Sequence, residues 1–341
     1  MRLAVAFAAI LAVLPAAANA KVPVPPPVAT VVASRLQVGG GELALALSQD
    51  WSHPLPAVRR VVIIVHGYTR NAADYQRWIA ALAPADTLVA APQFLAPEDI
   101  AAHRLPPGVL NWRRDRWSSG YAAEGPAPVS SFTALDALLA ALGSRAILPN
   151  LSHVVLAGFS AGGQLVQRYA TVGRGEAALG RSGVALRYVV GSPSSYLYFG
   201  DERPGADGVM APFAGAAACP RYDRWKYGLV GDLPRYVAAL NTDAAALERR
   251  YIGRDLVYMV GADDTNPNHR FLDKSCAAEA QGPTRRDRMK YFLAAMQRRA
   301  AGAGHQVMRV IGGAAHNAAK VLGSPCGRAA LFDESGCPGG L

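Results

Sequence analysis

One stretch constrains this chain more than any other: Val154-Val155-Leu156-Ala157-Gly158-Phe159-Ser160-Ala161-Gly162-Gly163-Gln164. Its apolar start has strand character, and residues 165–170 behind it are compatible with a helix. Gly-x-Ser-x-Gly between a strand and a helix predicts a nucleophile elbow. Small residues let the backbone double back there, and the serine hydroxyl stands at the top of a sheet. Glycine and serine alone would also mark an ordinary loop; the strand before and the helix after favour the elbow. An elbow is one part of a site. It requires a histidine, an acid and oxyanion donors from elsewhere in the chain.

Residues 1–20 read as a secretory signal peptide. Arg2 supplies the positive start, residues 3–14 the apolar stretch, and Ala18-Asn19-Ala20 the small-residue cleavage site. That stretch is too short to span a bilayer, and no later one reaches about 18 uninterrupted apolar residues, so no stable membrane insertion is expected. Lys21 stands where a lipoprotein would carry its lipidated cysteine. The expected location is the periplasm or the cell exterior. Residues 21–341 are expected to form a single domain with insertions at about 94–128 and 196–250.

The formal net charge is +10, or +9 without Arg2. The arginines are scattered, with pairs at Arg113-Arg114, Arg285-Arg286 and Arg298-Arg299. No basic stripe interleaved with aromatics runs through the chain, which argues against a nucleic-acid partner. A general attraction to anionic surfaces or acidic polymers remains. Cys219, Cys276, Cys326 and Cys337 form no Cys-x-x-Cys pair, and there is no His-Glu-x-x-His or carboxylate cluster, so neither a metal nor another cofactor is expected. In an oxidising compartment the cysteines read as disulfides, with three pairings open. The sequence sets no oligomeric state.

Along the chain, the Val/Pro-rich residues 21–29 predict an extended lead-in. Residues 35–38 and 42–47, separated by Gly39-Gly40-Gly41, predict a hairpin. Val61-Val62-Ile63-Ile64-Val65 reads as a strand buried on both faces, and it ends in His66-Gly67-Tyr68. Residues 72–82 predict a helix, and 87–91 a strand closed by Pro92. A helix from Ser130 or Ser131 to Leu142, strands at 187–190, 256–260 and 306–311, and helices at 244–250 and 285–301 continue the alternation. Together they predict a mostly parallel sheet with crossover helices.

The strand at 256–260 runs into Gly261-Ala262-Asp263-Asp264-Thr265, and the last strand into Gly312-Gly313-Ala314-Ala315-His316. Serine, acid and histidine thus follow in that order, each just beyond the carboxyl end of a strand, where open parallel sheets form their sites. The elbow and this order resemble the α/β-hydrolase superfamily over roughly residues 61–322. The resemblance implies an α/β-hydrolase fold with cap and loop insertions. It also implies a Ser160–His316–Asp264 triad and an oxyanion hole from the backbone N–H groups of Ala161 and Tyr68. The Tyr68 side chain could instead line the acyl pocket or add a hydroxyl donor. Asp264 is favoured over Asp263 because the family spacing is Gly-x-x-Asp. His316 is favoured over His305 because it follows the last strand. His269 reads as a loop residue or a substrate contact and His66 as structural, while His53, His103 and His153 stand in no motif. Pairing Cys276 with Cys326 would tie the acid loop to the histidine loop and leave Cys219 with Cys337; this pairing is favoured.

Gly-Phe-Ser-Ala-Gly-Gly-Gln is also similar to the elbows of secreted polyester depolymerases and feruloyl-type esterases. The expected function is therefore that of a secreted serine hydrolase cleaving a small-molecule or polymer-linked carboxylic ester through an acyl-enzyme. The alternatives are a peptidase or amidase on the same triad and a non-catalytic binding protein of the same fold. The aromatics at residues 112–121 and 196–227 would either stack on an aromatic or sugar-linked ester or, as favoured, pack a cap.

Overall fold

The computed structural model describes residues 23–300 and 306–341. Residues 1–20, His305 and the end of the helix expected at 285–301 lie outside the described residues. The chain opens with the antiparallel strands β1 (Ser34–Val38) and β2 (Gly41–Leu47). Gly39 and Gly40 both have positive φ, as a two-residue hairpin turn requires, so Gly41 already belongs to the second strand. Then come β3 (Arg60–Val65), α1 (Ala72–Ala80), β4 (Thr87–Gln93), α2 (Pro97–His103), α3 (Ser131–Leu142), β5 (His153–Phe159), α4 (Ala161–Val172), α5 (Gly175–Arg181) and β6 (Ala185–Gly191). A small hairpin, β7 (Glu202–Pro204) and β8 (Met210–Pro212), precedes α6 (Arg235–Ala238), α7 (Ala244–Ile252) and β9 (Asp255–Gly261). The chain ends with α8 (Cys276–Glu279), α9 (Arg285–Ala300), β10 (Gln306–Ile311), α10 (Ala318–Leu322) and α11 (Pro325–Phe332).

Eight strands form one sheet in the order β1-β2-β4-β3-β5-β6-β9-β10, parallel from β4 to β10. Alternation along each strand divides the core into two layers. Val61, Ile63 and Val65 of β3 face α3, α4 and α9, whereas Val62 and Ile64 face α1, α10 and α11. This double burial explains the unbroken β-branched run at that point in the sequence. From β3 the chain turns one way to β4, then crosses back to β5 on the other side of β3. The crevice at such a reversal opens at the carboxyl ends of the two strands. Those ends are His66-Gly67-Tyr68 and Ser160.

Three expectations needed correction. Strand β4 continues through Pro92 to Gln93, because its pairing with β3 stops at Ala90 and Pro92 faces no partner there that needs its N–H. The irregular regions also hold more structure than expected, namely α2 in the first and the β7–β8 hairpin and α6 in the second. The disulfides join Cys219 to Cys276 and Cys326 to Cys337, so the pairing of Cys276 with Cys326 does not occur. Cys326 packs in the layer of α1 and α10, whereas Cys276 meets Cys219 beside Tyr222 and Ala277 in a separate small cluster.

A buried ion pair fixes the loop that follows β3. Asp99 accepts hydrogen bonds from Arg70 Nε (2.7 Å) and Nη2 (3.0 Å) and from the N–H groups of Val28 (2.8 Å) and Ala96 (2.7 Å). Burial alone would raise the Asp99 pKa, but these bonds and the Arg70 charge outweigh it and hold it below the usual carboxylate value. Asp99→Ala leaves the Arg70 guanidinium buried and unpaired. It is expected to lower stability by about 3–5 kcal/mol, seen as a lower urea midpoint at unchanged slope.

Candidate active site

Strand β5 delivers Ser160 into a sharp turn before α4, and the turn is strained. Ser160 adopts φ 59° and ψ −115°, a region that non-glycine residues rarely occupy and that costs about 1–3 kcal/mol. Its N–H donates to Gly191 O at 2.8 Å, anchoring the turn to β6. The flanking glycines are dictated by close approach. A Cβ on Gly162 would stand 2.3 Å from Val65 O and 2.6 Å from His66 O, and one on Gly163 would stand 2.4 Å from Gly191 O. Only bare backbone lets α4 start this close to the end of β3.

His316 bridges the serine and the acid. Its Nε2 lies 3.0 Å from Ser160 Oγ and its Nδ1 lies 2.7 Å from Asp264 Oδ2. Because the carboxylate accepts, Nδ1 carries the proton and Nε2 is free to accept from the serine. Asp264 is buried, whereas Asp263 is exposed and uses its N–H on Ala314 O. The other carboxylate oxygen, Asp264 Oδ1, faces Arg285 Nη1 at 3.6 Å. Burial works against the Asp264 charge, but the hydrogen bond and charge of His316, followed by the charge of Arg285, outweigh it and lower its pKa. Burial lowers the His316 pKa, the bond to Asp264 opposes that, and the Arg285 charge adds to the lowering.

Opposite the elbow, His66 is fully buried, and burial brings its pKa down to about 4. Its neutral ring donates from Nδ1 to Gly67 O (2.8 Å) and accepts at Nε2 from Phe94 N–H (3.0 Å). Pinning Gly67 C=O fixes the peptide plane whose other end is the Tyr68 N–H. Gly67 itself comes close to the elbow, since a Cβ on it would lie 3.9 Å from Ser160 Cβ. The backbone N–H groups of Tyr68 and Ala161 thus belong to the two segments that flank Ser160. Trp117 packs edge-on against His66, with ring centroids 4.8 Å apart, and stacks on Phe94 at 5.1 Å. Trp112 and Trp117 are therefore packing beneath this loop and do not contribute to a substrate platform.

Of the other histidines, His53 and His153 are exposed and His103 bonds Val28 O at 2.6 Å. His269 sits edge-on to His316 with centroids 5.0 Å apart, and it accepts the Phe271 N–H at 3.2 Å. Burial and then the Arg285 charge bring its pKa down to about 4, so it is neutral beside His316. Among the described residues no group of three or more His, Cys, Asp or Glu is arranged to hold a metal ion. No helix among them is long and apolar enough to cross a membrane.

Ser160 opens into a cavity of about 250 Å³ whose walls include Tyr68, Phe271, Gln164, Tyr227 and a charged cluster that the sequence did not reveal. Lys226 Nζ lies 3.3 Å from Asp115 Oδ2 and 3.5 Å from Asp273 Oδ2. Asp273 also accepts the Tyr227 hydroxyl at 2.7 Å. Burial disfavours the Lys226 ammonium, but Tyr227, Asp115 and Asp273 outweigh it and raise its pKa; Asp273 is in turn held at about 2, against the effect of burial, chiefly by the Lys226 charge. Beneath Gln164, the buried Arg168 donates to Gln164 Oε1 (3.0 Å), Ser195 Oγ (3.0 Å) and Ser118 O (2.8 Å). It ties α4 to both irregular regions. These residues come from segments far apart in sequence, and no local motif marks them.

No protein-family model matches the chain, and no curated protein matches its sequence. Its structure is similar to that of a poly(3-hydroxybutyrate) depolymerase from Bordetella parapertussis, at 20% identity and a TM-score of 0.59, over 85% of this chain and 84% of that one. It is also similar to poly(aspartic acid) hydrolase-1 from Sphingomonas sp. KT-1, at 19% identity and a TM-score of 0.58, over 86% and 94% of the respective chains. The fold is that of the α/β hydrolases.

Proposed function

We propose that the protein is a serine hydrolase that cleaves carboxylic esters through an acyl-enzyme on Ser160, working in the periplasm or outside the cell. The observation that carries this reading is the unbroken hydrogen-bond chain from Ser160 Oγ through His316 to Asp264. A serine hydroxyl is a weak nucleophile at neutral pH until a base takes its proton. In the proposed cycle His316 Nε2 accepts that proton as Oγ attacks the carbonyl carbon. Asp264 keeps Nδ1 protonated and stabilises the imidazolium. The carbonyl oxygen gains its charge between the N–H groups of Tyr68 and Ala161. Collapse of the tetrahedral intermediate breaks the bond to the alcohol, which leaves with the proton from His316. Water then repeats the sequence and releases the acid. The extracytoplasmic location is supported by two disulfides and no free cysteine among the described residues. The similarity to two polymer hydrolases makes a polymer-linked substrate part of the proposal.

Fluorophosphonate labelling tests the nucleophile, and parallel panels of short-chain aryl esters and aminoacyl amides test the bond cleaved. Labelling with faster ester turnover is expected. A folded protein that resists labelling would favour a binding role, and faster amide turnover would favour a peptidase or amidase.

The acid limb of the pH profile follows from His316. Only its neutral form accepts the serine proton, and its pKa lies below the ordinary histidine value of 6.5. As pH rises, kcat/KM is expected to climb and level off through an apparent pKa below that value. A limb centred above it would contradict this assignment.

A further inference from the structure

We propose that the ester cleaved at Ser160 belongs to a carboxylate-bearing chain, whose acidic groups are read by Arg114, Arg116 and Arg221 along two adjoining cavities. The proposal rests on Ser160 being the nucleophile, and it names the substrate that this site takes. Beside the Ser160 cavity lies a second one of about 400 Å³, and the two share Asp115, Lys226 and Tyr227 as a common wall. The first, at Ser160, takes the scissile ester. The second gives the rest of a longer chain a place to lie.

The charges along this path are unequal. The two cavities together are lined by four cations and two carboxylates. Both carboxylates, Asp115 and Asp273, are paired to Lys226, and Asp273 is further engaged by Tyr227 and by the Ser275 N–H at 3.0 Å. They hold the lysine in place and leave no acid for the arginines. Among the described residues, no carboxylate lies within ion-pairing distance of Arg114, Arg116 or Arg221. All three are exposed at the cavity walls.

Two of them are nevertheless positioned. The Arg116 guanidinium lies over the Tyr121 ring, 4.3 Å from its centroid, a contact that places the cation without using a carboxylate. Arg221 follows Cys219 closely, and the Cys219–Cys276 bridge fastens that wall to the segment after Asp273. A guanidinium suits a carboxylate because two N–H donors meet two oxygens. A neutral polyester offers these groups nothing comparable, so the chemistry selects pendant carboxylates. The positive net charge of the whole chain adds a general attraction for the same substrate.

The test compares two soluble oligoesters of matched length, oligo(β-malate), which carries one carboxylate per unit, and neutral oligo(3-hydroxybutyrate). At low salt, kcat/KM for the malate oligomer is expected to exceed that for the neutral one at least tenfold. Raising the salt to about 0.5 M should shrink this advantage by screening. In R114Q/R221Q the ratio of the two kcat/KM values should fall at least tenfold, mainly through KM, and in R221E it should fall further. Fluorophosphonate labelling of each variant confirms a folded site. A labelled enzyme that cleaves the neutral oligomer as well as or better than the malate oligomer, or a ratio unmoved by these variants, overturns the proposal and leaves the serine hydrolase reading standing. Absence of both labelling and cleavage overturns the two together.

Discussion

Ser160→Ala is expected to lower kcat on a short-chain aryl ester by about 10⁶-fold while leaving the protein folded. The magnitude follows from removing the proposed nucleophile, which would act as one unit with its base, with residual catalysis left to the proposed oxyanion donors and binding. Structurally the change is small. Oγ makes its hydrogen bond to His316 and does not cap α4. The turn is held by Ser160 N–H on Gly191 O and by backbone contacts at Gly162 and Gly163, none of which needs the hydroxyl. The variant should therefore match the wild type in thermal unfolding to within a few degrees. Comparable loss of activity together with a large loss of stability would mean that the residue serves the fold and not the chemistry.

Asp264→Asn is the second large effect, with an expected loss in kcat of about 10⁴-fold. Asparagine keeps the shape of the side chain but presents an amide where His316 Nδ1–H needs an acceptor with charge. The ring is then free to take the tautomer that points a proton at Ser160. Arg285, 3.6 Å from Asp264 Oδ1, would also lose its carboxylate, and its charge would oppose an imidazolium on His316. Asp263→Asn is the control. Asp263 is exposed and uses only its backbone N–H on Ala314 O, so kcat should stay within about threefold of wild type. If the two variants exchanged effects, the acid assignment would be wrong.

The parts of this site that could be read from the sequence are those whose residue types are forced by local geometry. Gly158, Gly162 and Gly163 stand where a Cβ would strike backbone, so the elbow is written in consecutive residues. Val61–Val65 has helices on both faces, so its hydrophobic run is unbroken. Asp264 and His316 could be anticipated because each follows a strand end on the same sheet edge. The charged wall opposite the elbow could not. Asp115, Lys226 and Asp273 are more than a hundred residues apart at the extremes and meet only after two irregular segments fold over the sheet. Arg168 sits on a helix face that looks unremarkable until Ser118 and Ser195 are brought against it. The disulfide pairing is not legible in the sequence for the same reason. Proximity to the acid and histidine loops in sequence said nothing about which face of the sheet Cys326 would occupy.

The covalent intermediate itself tests the role of Ser160 most directly. A slowly deacylating aryl ester should be mixed with the protein, quenched in acid within the first turnover, and the intact mass and peptide map recorded. A burst of one phenol per protein is expected, with a mass increase equal to the acyl group on the peptide that contains Ser160. Steady hydrolysis with no adduct, or an adduct on any other residue, would contradict that role.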